Sequence, residues 1–310
     1  MKDIANSELL DDALAGLTAP QKHLSPKWFY DRRGSELFEQ ITQLPEYYPT
    51  RTEASILRAN ADTLVDTVPD GGALVELGSG ASVKTRTLLD AGSHFASYVP
   101  IDISEDFLLA TAKDLRARYP RLAIHPVVGD FTAPIDLPHS MDGIAKVGFF
   151  PGSTIGNLEP VDAISLLARA RDWDGACGVI LGADLVKPIP ALIAAYDDAQ
   201  GVTAEFNLNI LKRLNAEVHA NFDIDGFTHQ ARWCENPARI EMHLVSRKAQ
   251  SVRLDSQVIK FAEGETIHTE SCRKYTPDSL SDMAGKAGWQ VETMLTDDRE
   301  QFAVAVLRPA

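Results

Sequence analysis

The sequence predicts an α/β protein: a doubly wound, mostly parallel sheet with a second, inserted domain of mixed helices and strands. Two observations support this fold class. Between about residues 73 and 185, short apolar runs alternate with segments of helical periodicity, which is typical of a doubly wound sheet. After about residue 200, several runs alternate apolar and polar residues instead, which favours antiparallel strands with one buried face.

The first region supplies the elements of the predicted sheet. Five apolar runs are expected to be strands, namely Ala73–Leu77, Tyr98–Ile101, Leu122–Val128, Lys146–Phe150 and Val179–Leu185. Three segments between them have helical periodicity, namely Lys84–Ala91, Glu105–Arg118 and Asp162–Arg171.

The insertion begins with a predicted helix, Thr203–Leu214. The antiparallel strands predicted after it are Phe227–Trp233, Ile240–Val245, Val252–Leu254 and Val258–Phe261. A helix at Ser279–Ala287 and a closing antiparallel pair, Gln290–Leu295 with Phe302–Leu307, return the chain to the sheet. We therefore predict one domain from residues 61–199 with 276–310, and another from residues 1–60 with 200–275.

The N-terminal region is expected to pack with the insertion. A short acidic helix is predicted at residues 8–16, and the aromatic, proline-interrupted stretch at residues 24–50 is expected to be loop in part. Its large aromatic residues Trp28, Phe29 and Phe38 are expected in the core. Thr50 followed by Glu53 is a capping-box pattern, which predicts a helix from about Thr50 to Val65.

Composition excludes several classes of partner. The formal net charge of −14 argues against nucleic acid and anionic membranes. No apolar stretch approaches the roughly 20 residues of a membrane helix, and the acidic N-terminus is unlike a signal peptide. Three cysteines provide no disulfide framework, and the histidines lack the spacing of a metal site. We expect a cytoplasmic monomer that acts on a small molecule and binds no metal.

A glycine turn closes the first predicted strand. Glu76, Gly78, Ser79 and Gly80 form it, and Lys84 begins the helix that follows. Glycines at this position let backbone amides approach a ligand at a helix N-terminus. We assign these five residues to a cofactor site.

Acidic residues follow the next two predicted strands. Asp102 stands 22 positions after Gly80, a spacing that suits a carboxylate accepting both hydroxyls of a ribose. Asp130, followed by Phe131, ends the third run, where it is suited to accept from an adenine amino group. The alternative is a glycine turn with two solvated acids, but three such features at successive strand ends favour a ligand site.

The glycine motif also distinguishes between cofactors. A dinucleotide-dependent oxidoreductase would have a third glycine where Val83 stands. The Glu76-x-Gly-x-Gly form is instead typical of S-adenosylmethionine enzymes, in which the carboxylate holds the charged amino group of the methionine moiety. S-adenosylmethionine is therefore the expected cofactor, with the oxidoreductase as the alternative.

Several longer motifs, spread from about residue 20 to 275, resemble the histidine Nα-methyltransferases of ergothioneine biosynthesis. The segments that carry the resemblance are Pro26–Asp31, Gly34–Phe38, Leu44–Glu53, Glu76–Gly80, Gly152–Asn157, Tyr196–Asp198, Gly201–Asn207, Arg239–Met242 and Thr269–Glu270. The resemblance implies a Rossmann-like methyltransferase sheet with an inserted substrate-binding domain. It also implies three methyl transfers to the α-amino group of L-histidine, which give the betaine hercynine.

The resemblance also implies roles for individual residues. Tyr47, Asn157 and Tyr196 would hold the carboxylate and amine of the substrate, and Tyr30 would lie near the accepting nitrogen. Tyr30 and Asn157 are thus the catalytic candidates. The remaining substrate-binding candidates surround the cleft and the imidazole; they are Gly152, Thr154, Phe206, Met242, Glu270 and Cys272.

Residue types alone leave other interpretations open. Met242 would then be a core residue, Glu270 a solvated glutamate at a strand end, and Asn157 a turn residue. Cys272 also departs from the family, which often has serine there, and a thiol is a weaker hydrogen-bonding group than a hydroxyl. The alternative substrate is therefore another amino acid, such as tryptophan or tyrosine.

Overall fold

The computed structural model describes residues 2–310, with side chains from residue 7 onward. The chain divides into two compact units. We call Met1–Tyr48 with Lys187–Arg273 the first unit, and Pro49–Val186 with Lys274–Ala310 the second unit. None of the helices in the described part of the chain is long and apolar enough to cross a membrane.

The second unit is built on one twisted sheet. Its strands are β1 (Ala73–Leu77), β2 (Ser97–Asp102), β3 (Ala123–Ile124), β4 (Val127–Val128), β5 (Lys146–Phe150), β6 (Ala176–Asp184), β12 (Trp289–Thr296) and β13 (Phe302–Pro309). They lie in the order β12-β13-β6-β5-β1-β2-β3, with β4 also paired to β2. Strands β2, β1, β5 and β6 are mutually parallel, whereas β13 is antiparallel to both of its neighbours.

Helices cover both faces of this sheet. They are α3 (Tyr48–Ala59), α4 (Ala61–Val65), α5 (Thr85–Ala91), α6 (Glu105–Arg118), α7 (Pro160–Arg171) and α10 (Pro277–Lys286). On β1, Val75 packs in one core with α7 and α10, while Leu74 packs in another with α4, α5 and α6. The predicted doubly wound α/β fold is therefore confirmed.

The strand order reverses direction at β1. Strand β2 lies on one side of β1, and β5, reached later in the chain, lies on the other. Open α/β sheets bind their ligands beyond the carboxyl ends of the strands at such a switch point. Here the glycine turn Gly78–Gly80 follows β1 and the segment 151–157 follows β5.

The first unit combines helices with smaller antiparallel sheets. Its helices are α1 (Lys2–Leu17), α2 (Arg32–Gln43), α8 (Ile189–Tyr196) and α9 (Val202–Glu217). Its strands are β7 (Phe227–Cys234), β8 (Arg239–Ser246), β9 (Gln250–Leu254), β10 (Gln257–Phe261) and β11 (Thr266–Arg273), arranged as a three-stranded sheet β11-β8-β7 and a β9–β10 hairpin. Leu9, Leu37, Ile210 and Ile240 share its core, so the N-terminal segment packs with the insertion as predicted.

The structure corrects several expected elements. The third run of the sheet is two short pairings, β3 and β4, because Pro126 between them has no N–H to donate. Strand β11 was not predicted, since a bulge between His268 and Glu270 disrupts its alternation. In the aromatic stretch, helix α2 occupies residues 32–43, and Asp31 caps it by accepting from the Gly34 amide at 2.6 Å.

The helix expected from Thr50 to Val65 is two helices, α3 and α4, and α3 begins at Tyr48. Thr50 is therefore not its N-cap. Ile56 and Leu57 of α3 pack in the core of the second unit, so residues 49–60 belong there rather than with the N-terminal region. Conversely, Leu192 of α8 packs in the core of the first unit, which includes residues 187–199.

Candidate active site

The first unit contains a small cavity, and half of the residues that line it are aromatic. The residues around it are Tyr30, Phe38, Ile41, Tyr47, Ala195, Tyr196, Thr203, Phe206, Met242 and Glu270. Six of them are substrate-site or catalytic candidates from the sequence: Tyr30, Tyr47, Tyr196, Phe206, Met242 and Glu270. The N-terminal region, helices α8 and α9, and strands β8 and β11 each contribute to this wall.

The rings of this cavity pack mostly edge to face. Tyr47 meets Tyr196 with ring centroids 6.2 Å apart, and Tyr30 meets Phe206 at 5.9 Å. Phe38, which the sequence placed in the core, lies between Tyr30 and Tyr47 at centroid distances of 5.7 and 6.4 Å. Phe38 is therefore a cavity residue that sequence reasoning missed. Edge-to-face contacts of this kind are favourable and fix the positions of the rings.

A β-bulge directs Glu270 toward this cavity. The register of β11 against β8 shifts between His268 and Glu270, so the consecutive residues Thr269 and Glu270 are both buried. The Thr269 hydroxyl donates to the Met242 carbonyl at 3.0 Å, which anchors the bulge. Glu270 is therefore a buried carboxyl in an aromatic cavity and not a solvated strand-end glutamate.

Tyr30 keeps its phenolic proton in this setting. Burial of the hydroxyl raises its pKa well above the usual value, although the residue as a whole is 46% exposed. The negative charges of Glu270, Tyr47 and Cys272, when ionised, raise that pKa further. Tyr30 can therefore donate and accept hydrogen bonds at neutral pH, but it cannot act as a phenolate base. Cys272 is buried two residues beyond Glu270 on the same strand.

The other substrate-site candidates, Gly152, Thr154 and Asn157, lie in the second unit. They belong to the segment after β5, where Gly152 has φ of +84° and a short 3-10 turn spans Thr154–Asn157. The Ser153 hydroxyl oxygen accepts from the Asp184 amide at 2.9 Å, and the Thr154 hydroxyl donates to the Pro151 carbonyl at 3.1 Å. This segment is thus held in one conformation by contacts on both sides.

Glu53 is a functional candidate that the sequence did not indicate. Its carboxylate is completely buried, accepts from the Gly152 amide with both oxygens at 2.9 Å, and pairs with the Lys84 ammonium. The capping-box pattern predicted a local role for Glu53 instead. Its actual partners are 31 and 99 residues away along the chain, so no local pattern could identify them. Glu53 joins the segment after β5 to the start of α5.

The glycine turn after β1 is fastened to the end of β2. Gly78 and Gly80 have φ of +70° and +49°, which glycine adopts readily. The Gly80 amide donates to Asp102 Oδ2 at 2.9 Å, and the Ser104 amide donates to Oδ1 at 3.0 Å. Each carboxylate oxygen of Asp102 retains a further lone pair, so the carboxylate still has capacity for ligand hydroxyls.

Other features around this turn also fit a ligand with a nucleoside and an amino-acid part. The Ser79 hydroxyl is buried with no hydrogen-bond partner among the described residues. The ring of Phe131 lies so close to Gly78 that a Cβ there would be 3.2 Å from it. Asp130, beside it, is exposed and accepts from both the amide and the hydroxyl of Thr132 at 2.8 and 2.6 Å. The residues expected to hold S-adenosylmethionine are therefore suitable in type and position.

Glu76 lies beneath the turn and is almost fully buried. Its Oε2 accepts from the Thr85 hydroxyl at 2.6 Å and from the Tyr98 hydroxyl, and Ser82 hydrogen-bonds the same Tyr98 oxygen at 2.9 Å. Burial raises the pKa of Glu76 to about 8, although the hydrogen bonds from Thr85 and Tyr98 oppose the shift. With no ligand bound, Glu76 is therefore mostly protonated at neutral pH.

Comparison with known proteins gives matches over nearly the whole chain. The family described as histidine-specific, S-adenosylmethionine-dependent methyltransferases matches residues 9–309. Histidine N-alpha-methyltransferases of Mycolicibacterium smegmatis and Mycobacterium tuberculosis are 43% and 41% identical, and each alignment covers 98% of this chain and 96% of the relative. Ergothioneine biosynthesis protein 1 of Neurospora crassa is 28% identical over 76% of this chain and 29% of its own length.

Proposed function

This chain belongs to the family of histidine-specific, S-adenosylmethionine-dependent methyltransferases, and we propose that it methylates the α-amino group of L-histidine three times, giving hercynine. The observation that carries the proposal is the cavity of the first unit. One cavity brings together three tyrosines, Phe206, Met242 and the buried carboxyl of Glu270. Such a space suits a small amino acid with one polar, nitrogen-containing ring.

We propose that Glu270 recognises the imidazole of the substrate. A buried carboxylate accepts a hydrogen bond from a ring N–H, and it loses solvation without replacement when the ligand has no donor. Cys272 is the proposed partner for the other side of the ring, and Met242 packs against it. Tyr47 and Tyr196 are proposed to bind the substrate's carboxylate and amine.

The chemistry asks for orientation more than for strong acid or base catalysis. When bound, S-adenosylmethionine supplies a methyl group on a positively charged sulfonium, which a neutral amine displaces in line. Fixing the two reactants in that geometry can lower the barrier by roughly 7–11 kcal/mol. Tyr30, which keeps its proton, is proposed to orient the accepting nitrogen by hydrogen bonding.

The aromatic wall suits repeated transfer to one nitrogen. The nitrogen becomes a permanent cation when it carries three methyl groups, and it no longer donates hydrogen bonds. Tyrosine and phenylalanine faces stabilise such cations by roughly 0.5–2 kcal/mol each. Tyr30, Phe38 and Phe206 supply the rings for this role.

The residues of the second unit fit the expected cofactor. We propose that Asp102 accepts the ribose hydroxyls, that Asp130 and Phe131 bind the adenine, and that Glu76 binds the amino group of the methionine moiety. Lys84 and the turn at Gly78, Ser79 and Gly80 complete the proposed site. Family membership disfavours the oxidoreductase alternative, whose glycine fingerprint this chain also lacks.

Two further parts of the proposal concern where the enzyme acts and its oligomeric state. We propose that the enzyme acts in the cytoplasm, because its three cysteines are free in the described structure, and that it acts as a monomer. Tryptophan or tyrosine is the alternative substrate, because Cys272 replaces a family serine and offers only a weak hydrogen bond to the imidazole.

Mass spectrometry of products formed from a panel of free amino acids tests the proposal. With excess S-adenosylmethionine, histidine should be converted through one and two methyl additions to a product with three. S-adenosylhomocysteine should appear in threefold excess over that product. Conversion of tryptophan or tyrosine in preference to histidine would contradict the substrate assignment, and accumulation of a dimethyl product would contradict three transfers.

A further inference from the structure

A buried histidine supports the cavity from behind. His229 lies on β7, and its Nε2 is 2.7 Å from the carbonyl oxygen of Tyr196, the last residue of α8. Carbonyls in the last turn of a helix lack partners within the helix, so His229 satisfies one of them. The residue whose backbone it holds is also one of the tyrosines that line the cavity.

The protonation state of this contact follows from its neighbours. A carbonyl only accepts, so His229 Nε2 must carry the proton. His229 Nδ1 is 2.8 Å from Nδ2 of Asn207, and the same Nδ2 donates to the His243 carbonyl at 3.2 Å. The His243 carbonyl requires an N–H from Asn207, so the Asn207 Nδ2 group also donates to His229 Nδ1. The Tyr196 carbonyl requires an N–H from His229 Nε2. His229 is therefore a neutral imidazole protonated on Nε2.

The surroundings favour the neutral form further. Burial lowers the pKa of His229, while its hydrogen bond to the Tyr196 carbonyl and the charges of Asp197 and Asp198 oppose that effect. Asp197 Oδ1 is 4.0 Å from His229 Nε2. A second proton on Nδ1 would face the NH₂ group of Asn207, which is also a donor. Rotating the Asn207 amide to present its oxygen instead would break the hydrogen bond to the His243 carbonyl.

The turn after Tyr196 is anchored at its other end as well. Asp198 accepts from the amides of Val202 and Thr203 at 3.0 and 2.7 Å, which fixes the start of α9. Thr203 and Phe206 of α9 line the same cavity as Tyr196. His229 thus holds the end of α8 while Asp198 holds the start of α9, and the cavity wall between them has little freedom.

We propose that His229 is a positioning residue for the amino-acid substrate: through its Nε2–H it sets the place of Tyr196, and Asn207 holds the imidazole in the required tautomer. This inference rests on the proposed function of Tyr196 in binding the carboxylate and amine. Those groups are common to all amino acids, so His229 should affect affinity for the amino acid and not the choice of side chain.

Two isosteric variants separate the hydrogen bonds of His229. Glutamine places an amide N–H where Nε2 lies, so His229→Gln keeps the bond to Tyr196. Asparagine places an oxygen near Nδ1, so His229→Asn keeps the acceptor for Asn207 and loses the bond to Tyr196. His243→Asn is the matched control, because His243 is a similarly buried imidazole on the adjacent strand whose ring makes no hydrogen bond to Tyr196.

Steady-state kinetics with the preferred amino acid should show a roughly tenfold higher KM for His229→Asn, as expected for one lost hydrogen bond. His229→Gln should stay within about threefold of wild type, and His243→Asn should leave KM unchanged. The dissociation constant of S-adenosylhomocysteine should be the same in all variants. An unchanged KM in His229→Asn, or a glutamine variant no better than the asparagine variant, overturns the proposal.

Nitrogen NMR of wild type tests the same point without relying on a folded variant. His229 should appear as the neutral tautomer protonated on Nε2, and its resonances should shift when the amino acid binds, while those of His243 stay in place. An imidazolium, an Nδ1-protonated tautomer or an unresponsive His229 overturns the proposal. If the preferred amino acid is not histidine, the substrate assignment fails, but the comparison of variants on that other amino acid still decides the role of His229.

Discussion

Glu270 lies directly opposite Met242 in the register of β11 against β8, immediately after the bulge that begins at His268. Without the bulge, strict alternation would place Thr269 and Glu270 on opposite faces of the sheet. With it, both side chains are buried and Glu270 reaches the aromatic cavity. The β-bulge in β11 therefore places Glu270 in the cavity, where it is the only carboxyl among the described lining residues.

Replacing Glu270 with alanine should weaken discrimination for histidine. A hydrogen bond to a charged acceptor contributes roughly 1.5–3 kcal/mol, so kcat/KM for histidine should fall about tenfold to a hundredfold. Tryptophan and phenylalanine should lose less or improve, because no buried carboxylate is then left without a donor. Competition assays on the three amino acids measure this. Glu265→Ala, outside the cavity near the start of β11, is the matched control, and undiminished preference for histidine in the Glu270→Ala enzyme would contradict the assignment.

Glu76 and Glu270 differ in how well their roles could be predicted from the sequence. The motif that contains Glu76 is local, so its glycines and the acid that ends β2 could be recognised by their spacing in the sequence. The cavity around Glu270 is assembled from segments far apart in the chain, and only the family resemblance indicated it. The bulge in β11 disrupts the very alternation by which a strand is recognised, which is why β11 itself was not predicted.

Local sequence motifs could not identify residues whose roles depend on partners far away along the chain. His229 meets Tyr196 across 33 residues and Glu53 meets Gly152 across 99, and neither has a distinctive local pattern. Phe38 resembled a core residue because large aromatics are usually buried. The doubly wound sheet, in contrast, was predictable because short buried strands and amphipathic helices alternate within about 110 residues of sequence.

Replacing Asp102 with alanine should weaken cofactor binding. The variant loses the proposed bonds to two ribose hydroxyls and also the acceptor for the Gly80 amide, so the dissociation constant should rise about tenfold to a hundredfold. Calorimetry with S-adenosylhomocysteine measures the change. Asp130→Ala, at an exposed acid with contacts inside its own turn, should have a smaller effect. Unchanged affinity in a folded Asp102→Ala protein would exclude the ribose assignment.

Replacing Glu53 with glutamine should destabilise the second unit and impair turnover. The variant can still accept from the Gly152 amide, but it leaves the Lys84 ammonium without its partner in a largely buried position. Breaking a buried pair from one side costs about 3 kcal/mol, which urea unfolding would detect as a lower free energy of unfolding. Glu205→Gln, in an exposed pair with Arg33, should show no measurable change. Equal stability of the two variants would contradict the structural role of Glu53.

The affinity for S-adenosylmethionine should increase with pH and depend on Glu76. Burial raises the pKa of this carboxyl to about 8 in the free protein, so it is mostly protonated at pH 7. A bound ammonium group lowers that pKa again, because an adjacent positive charge favours the ionised carboxylate. The complex then holds fewer protons than the free protein, and by linkage affinity rises as the pH approaches about 8, the pKa of the free carboxyl. At higher pH the amino group of the cofactor itself loses its proton, and the rise ends.

Calorimetry in buffers of different ionisation enthalpy provides the measurement, since the protein should release a proton on binding near pH 7. In Glu76→Gln, fewer protons should be released on binding, and the affinity should depend less on pH. Only the titration of the ligand's own amino group should then contribute. Thr85→Val is a useful companion, because it removes a hydrogen bond that favours the ionised carboxylate and should move the rise in affinity to higher pH. Proton uptake, or an affinity in wild type that is flat over this range, would show that Glu76 does not receive the amino group of the cofactor.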